Sequence, residues 1–154
     1  MNSISSLLIA PTQRSRMVSY DRDFSLWLDL QVELLHVGKY TQLDIKNLID
    51  ELESMGKRDK RELASRLETL LMHMLKCIHC PNAITPSWIA TIVEQRSRIK
   101  NLLDDSPSLS QLIPGRVADV YGNAVKRAAI EMGIAENELP ASCPFPVTEI
   151  LSTK

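Results

Sequence analysis

The chain has 154 residues, 44% of them hydrophobic and 24% charged, with a formal net charge of −1. A chain of this length buries roughly 68–70% of the surface that its unfolded form exposes, so it needs no staples, and its composition lies far from that of disordered chains. The near-zero charge argues against broad attraction to nucleic acid or to anionic lipid.

Three cysteines do not make a disulfide framework and fit a reducing, cytoplasmic setting. No apolar run approaches the roughly 18 residues that a membrane span needs. The stretch from Ile4 to Ala10 is mildly apolar, but no basic residue precedes it and Pro11, Arg14 and Arg16 follow, which makes a poor signal peptide. Residues 1–19 read as a flexible tail and 20–152 as a single helical domain.

Between the glycines and prolines, apolar residues recur at spacings of three and four, the helical period. A first helix is expected over 21–37, stopped by Gly38, and a second over 41–55, stopped by Gly56. Thr41 followed by Asp44 resembles a capping box. The third and longest helix runs over 58–81, since Pro81 cannot continue the hydrogen-bond ladder. Thr85 and Pro86 supply an N-cap and a pre-set first residue for a fourth helix over 85–103. Ser106-Pro107 repeats the device, and a fifth helix is expected to break at Pro114-Gly115 into pieces over 107–113 and 116–132, stopped by Gly133. A proline-rich loop then leads to a last turn or two over 147–151. Short connections favour antiparallel neighbours, hence an all-α, mostly antiparallel bundle of about five main helices.

On a wheel of about 100° per residue, helix three carries Leu63, Leu67, Leu70, Leu71, Met74 and Ile78 on one stripe, and helix five carries Val117, Val120, Tyr121, Ala124 and Ala128. Helix one differs. Apolar residues including Trp27, Leu30 and Leu34 cover roughly two-thirds of its circumference, leaving Ser25, Asp29, Glu33 and His36 as a polar strip. Such a helix is either central in a bundle or buried against a second copy.

Several stretches carry a family resemblance: Tyr20-Asp21-x-Asp23-Phe24-x-Leu26-Trp27-Leu28, Leu48-Ile49-Asp50-Glu51-Leu52-Glu53-x-Met55-Gly56-Lys57 and Leu70-Leu71-x-His73-Met74-Leu75-Lys76. Ser87-Trp88-x-x-Thr91-Ile92-x-Glu94-Gln95-Arg96, Asp105-Ser106-Pro107-Ser108-Leu109 and Cys143-Pro144-Phe145 continue it. Over about 20–151 the chain resembles the domain-of-unknown-function family 29. The resemblance implies a small helical fold, a bacterial and largely cyanobacterial distribution, and no established activity or site residue. The chain departs from the family's pattern at Cys77, where an aromatic often stands, so the resemblance implies no family-wide cysteine site.

Three constellations have chemical potential. His73, Cys77 and Cys80, at spacings of four and three, share one strip of helix three and would suit zinc, with Cys143 or His36 as a fourth ligand. Against zinc, cysteine is among the most buried residue types without any ligand duty, and helical zinc sites draw on two elements, so packing is the preferred reading and no cofactor is expected. Asp29, Glu33 and His36 match half of a di-iron carboxylate motif, but no second Glu-x-x-His exists, so a solvated strip is favoured. Arg96 falls inside the Ile89, Ile92, Ile99, Leu103 stripe of helix four, where a guanidinium needs a partner. Asp44, Glu51 and Glu53 are the expected acids, with Glu94 and Gln95 as local alternatives, and an anion or ligand contact is the lesser reading.

The basic clusters Lys57, Arg58, Lys60, Arg61 and Arg96, Arg98, Lys100 are diluted by Asp59, Glu62 and Glu94. This argues against nucleic acid as a partner. No phosphate-binding glycine loop, nucleophile elbow or His-Glu-x-x-His is present, which disfavours an enzyme. The leading expectation is a self-associating protein-interaction module with Trp27, Leu30 and Leu34 at the interface and helix five as a second contact. The alternatives are a small-ligand or metal-binding protein centred on His73 or Arg96, and a nucleic-acid-associated protein.

Overall fold

In the computed structural model, which describes residues 18–152, the described chain forms five α-helices and no strand. They are α1 Phe24–His36, α2 Ile45–His79, α3 Pro86–Asp105, α4 Ile113–Met132 and α5 Val147–Ile150, joined by short 3-10 turns. The all-α class expected from the apolar period holds. The tail expected over 1–19 lies outside the described residues except for its last two positions.

Two expected boundaries move. Gly56 does not stop a helix: its φ is not positive, and the helices expected over 41–55 and 58–81 are one continuous α2. A glycine inside a helix costs only about 0.5–1 kcal/mol relative to alanine, which the good helix formers on either side of it absorb. Nor does Pro114-Gly115 break a helix. The segment Pro107–Leu112 is 3-10 and passes directly into α4, whose first turn holds Pro114, where its missing N–H is tolerated.

Contacts within the chain group into two units, residues 1–55 and 56–154. In the described part of the first, the Asp44 carboxylate pins a pair of helical segments. Asp23 caps α1, its side chain accepting from the Leu26 N–H at 2.9 Å, and Gly38 (φ +72°) turns the chain out of it. Asp44, not Thr41, begins α2. Its carboxylate accepts from the Asn47 backbone N–H at 3.3 Å, from the Asn47 side-chain amide at 2.7 Å and from the Trp27 indole at 3.1 Å. Its own N–H donates to the buried Gln31 side chain at 2.8 Å. Burial pushes the Asp44 carboxyl up, but these hydrogen bonds outweigh that effect and hold it below the ordinary carboxylate value. Tyr20, Phe24 and Trp27 form an aromatic cluster with ring centroids 5.0–5.7 Å apart, and the Tyr20 hydroxyl donates to Glu51.

The second unit contains the main core. Leu63, Leu67, Leu70, Leu71 and Leu75 of α2 are sealed from solvent together with Ile99 of α3, Ile113, Ala124 and Ala128 of α4 and Ile150 of α5. Each large aliphatic side chain so buried contributes roughly 1.5–3 kcal/mol. α4 ends at Gly133 in the left-handed region (φ +68°), as the sequence predicts. The Tyr121 hydroxyl donates to the Pro140 carbonyl at 2.6 Å and ties the following loop to the helix.

Candidate functional site

On α1 the buried side chains Trp27, Leu30, Gln31 and Leu34 occupy one arc. Trp27 is only 1% exposed, so the three residues expected at an interface are closed inside the chain instead. Next to that arc runs a second apolar stripe that is open: Phe24, Leu28, Val32 and Leu35, at spacings of four, four and three and 40–46% exposed. The first turns of α2 repeat the pattern with Ile45, Ile49 and Leu52, at spacings of four and three and 50–66% exposed. The apolar excess of α1 is thus divided between an arc that the chain itself covers and an arc that it leaves open, a division that helical periodicity alone does not specify. The helix-five stripe expected as a second contact, Val117, Val120, Tyr121, Ala124 and Ala128, is buried in the core of the second unit.

At the C-terminal end of α2 the sequence singles out a histidine and cysteines, and the structure picks out a lysine. Lys76 is 4% exposed, yet its ammonium lies 2.6 Å from Glu131 of α4 and 4.2 Å from the centroid of the Trp88 ring on α3. A buried ammonium is tolerated there because a carboxylate pairs with it and an aromatic face covers it. The hydrogen bond from Lys76 chiefly holds the Glu131 carboxyl below its usual value; burial opposes this, and His73 and Arg127 add to it through their charges. The signal in the sequence was a lysine in register with an apolar stripe, within Leu70-Leu71-Met72-His73-Met74-Leu75-Lys76.

His73, Cys77 and Cys80 do not gather into a metal site. The His73 Nδ1 lies 3.0 Å from the Thr69 carbonyl of its own helix, and the Cys80 thiol faces the Met132 sulfur at 3.9 Å. Burial pushes the Cys77 thiol up and so disfavours the thiolate that a metal would need. Among the described residues no group of three His, Cys, Asp or Glu side chains is placed to hold a metal ion.

Arg96 finds a partner, but not a carboxylate. Its Nε and Nη2 donate to the carbonyls of Ile150 and Glu149 at 2.9 and 2.8 Å. A cation that donates to the last carbonyls of the short α5 satisfies acceptors left open at a helix end. Asp29, Glu33 and His36 are all exposed, as expected of a solvated strip. Among the described residues, no helix is long and apolar enough to cross a membrane.

A family model described as "Domain of unknown function DUF29" matches residues 19–154. No curated protein and no solved structure matches the chain.

Proposed function

Since the chain belongs to the DUF29 family, whose description assigns no activity, we propose a function from its surface: a helical protein-interaction module that self-associates through the exposed stripes of α1 and the start of α2. The observation behind this reading is the pair of stripes, Phe24-Leu28-Val32-Leu35 and Ile45-Ile49-Leu52, left open within one short segment. A second copy is the simplest occupant, because an isologous contact uses the same surface twice and two helix pairs complete a four-helix arrangement. The same reading keeps the protein in the reducing cytoplasm, in keeping with Cys77, Cys80 and Cys143, which are free thiols.

Light scattering of the full chain at micromolar concentration is expected to give twice the monomer mass. Leu28→Glu combined with Ile49→Glu should return it to monomer mass with the helical circular dichroism intact, because both side chains are already solvent-facing. A wild-type chain that stays monomeric as its concentration is raised would overturn the proposal.

A further inference from the structure

The open apolar stripes of the first unit are bordered by charge of one sign. On α1, Asp29 and Glu33 each follow directly after a stripe residue, Leu28 and Val32, so they lie about 100° further round the helix, on the rim of the apolar face. On α2, Asp50 stands in the same relation to Ile49. All three carboxylates are exposed, and among the described residues no ion pair or side-chain hydrogen bond engages them. Over residues 18–55 as a whole, eight carboxylates stand against three basic side chains, so the rim has few cations of its own to neutralise it.

We propose that these stripes receive a basic amphipathic helix of another protein, with aliphatic residues at spacings of three and four and lysine or arginine on its flanks. The proposal rests on the reading of the stripes as an open contact surface and names a second occupant for it. Phe24, Leu28, Val32 and Leu35 extend over about three turns of α1, a length on which the apolar face of one helix can be laid. An isologous contact with a second copy brings the same acids to both sides, so its electrostatic contribution is repulsive. A basic helix buries the same apolar surface and meets the rim carboxylates with cations, so its contribution is attractive. The sign of the rim also counts against the two other classes of large partner, because it repels the phosphates of a nucleic acid and the headgroups of an anionic membrane.

The test is fluorescence anisotropy of a labelled model helix of about four turns, with leucine at helical spacing and lysine elsewhere, titrated with the full chain. A helix with the same leucines and glutamate in place of lysine is the comparison. The lysine helix is expected to bind about tenfold more tightly or better, with the advantage shrinking as salt is raised. Asp29→Asn combined with Glu33→Gln should weaken its binding about three- to tenfold with the helical circular dichroism intact, since both side chains are exposed. Asp104→Asn combined with Asp105→Asn removes the same formal charge from α3 and should leave binding unchanged. Leu28→Asn combined with Ile49→Asn should abolish it. Equal affinity for the two helices overturns the proposal, as does equal weakening by the α3 variant, which would mean diffuse attraction. A wild type that doubles its mass in light scattering but does not bind the lysine helix overturns this proposal and leaves self-association standing; a monomer that binds it does the reverse. Co-sedimentation of the chain with phosphatidylglycerol vesicles, lost in Leu28→Asn/Ile49→Asn, overturns it in favour of a membrane face.

Discussion

The residues before Gly56 and those after it solve the same problem in opposite ways. After Gly56, aliphatic side chains from four helices close over one another, and the polar groups that are drawn in, Lys76 and Arg96, are matched by Glu131, Trp88 and two carbonyls. Among the described residues before Gly56, few side chains are buried, the carboxylates of Asp44 and Glu51 tie α2 to Trp27 and Tyr20, and apolar stripes are left open. Apolar surface is therefore a stability device in one unit and an available contact in the other, so substitutions of similar chemistry should have different consequences in the two.

The largest effect is expected in the C-terminal core. Leu71→Ala deletes a sealed side chain and should lower unfolding stability by about 2–5 kcal/mol in denaturant titration, as cavity-forming changes do. The mass measured by light scattering should not change while the chain remains folded. A loss under about 1 kcal/mol would show that the site collapses around the cavity, or that Leu71 is not enclosed.

Next comes the buried ammonium. Glu131→Ala strands Lys76 against Trp88 alone. The expected cost is about 1–2 kcal/mol, less than that of a fully enclosed pair, because Glu131 is half-exposed and water can partly replace it. Lys76→Met removes the charge together with its need for a partner and should cost less than Glu131→Ala. The reverse order, measured by thermal melting, would show that the pair itself stabilises the fold.

In the N-terminal unit the corresponding test is Asp44→Ala, which removes the α2 cap and the acceptor of the Trp27 indole, with an expected cost of about 1 kcal/mol. The carboxyl has a folded-state pKa below its ordinary value, so its contribution is fully present above the unfolded value and is lost as pH falls through the folded one. Indole fluorescence from Trp27 should therefore report an acid transition of the wild type that Asp44→Ala lacks. An identical acid profile in both proteins would remove Asp44 from its role as the pin of this unit.

Much of this was legible in the sequence. The helical period, the caps at Thr85-Pro86 and the stop at Gly133 gave the class and most helix ends, because each is decided within a few residues. The candidate sites were not, because each depends on what another element covers. Trp27 and Leu28 are equally apolar neighbours on one helix, yet one is enclosed and the other open. Arg96 needed a partner, and that partner is backbone more than fifty positions away, which no side-chain inventory would propose. Residue type alone points to His73, Cys77 and Cys80 as metal ligands, whereas burial singles out Lys76.

The smallest expected effect bears on the boundary between the two regions. Gly56 looks like a helix stop, but its φ is not positive and a methyl group built on it would meet nothing within 4 Å, so Gly56→Ala should stabilise the chain by about 0.5–1 kcal/mol through helix propensity. Gly133 also has open space around it, but its φ of +68° makes Gly133→Ala strained and destabilising. Opposite signs from the same substitution separate a glycine that a helix passes through from one that ends it. If Gly56→Ala were destabilising as well, α2 would break at Gly56, and the first unit would end in a turn where the structure has a continuous helix.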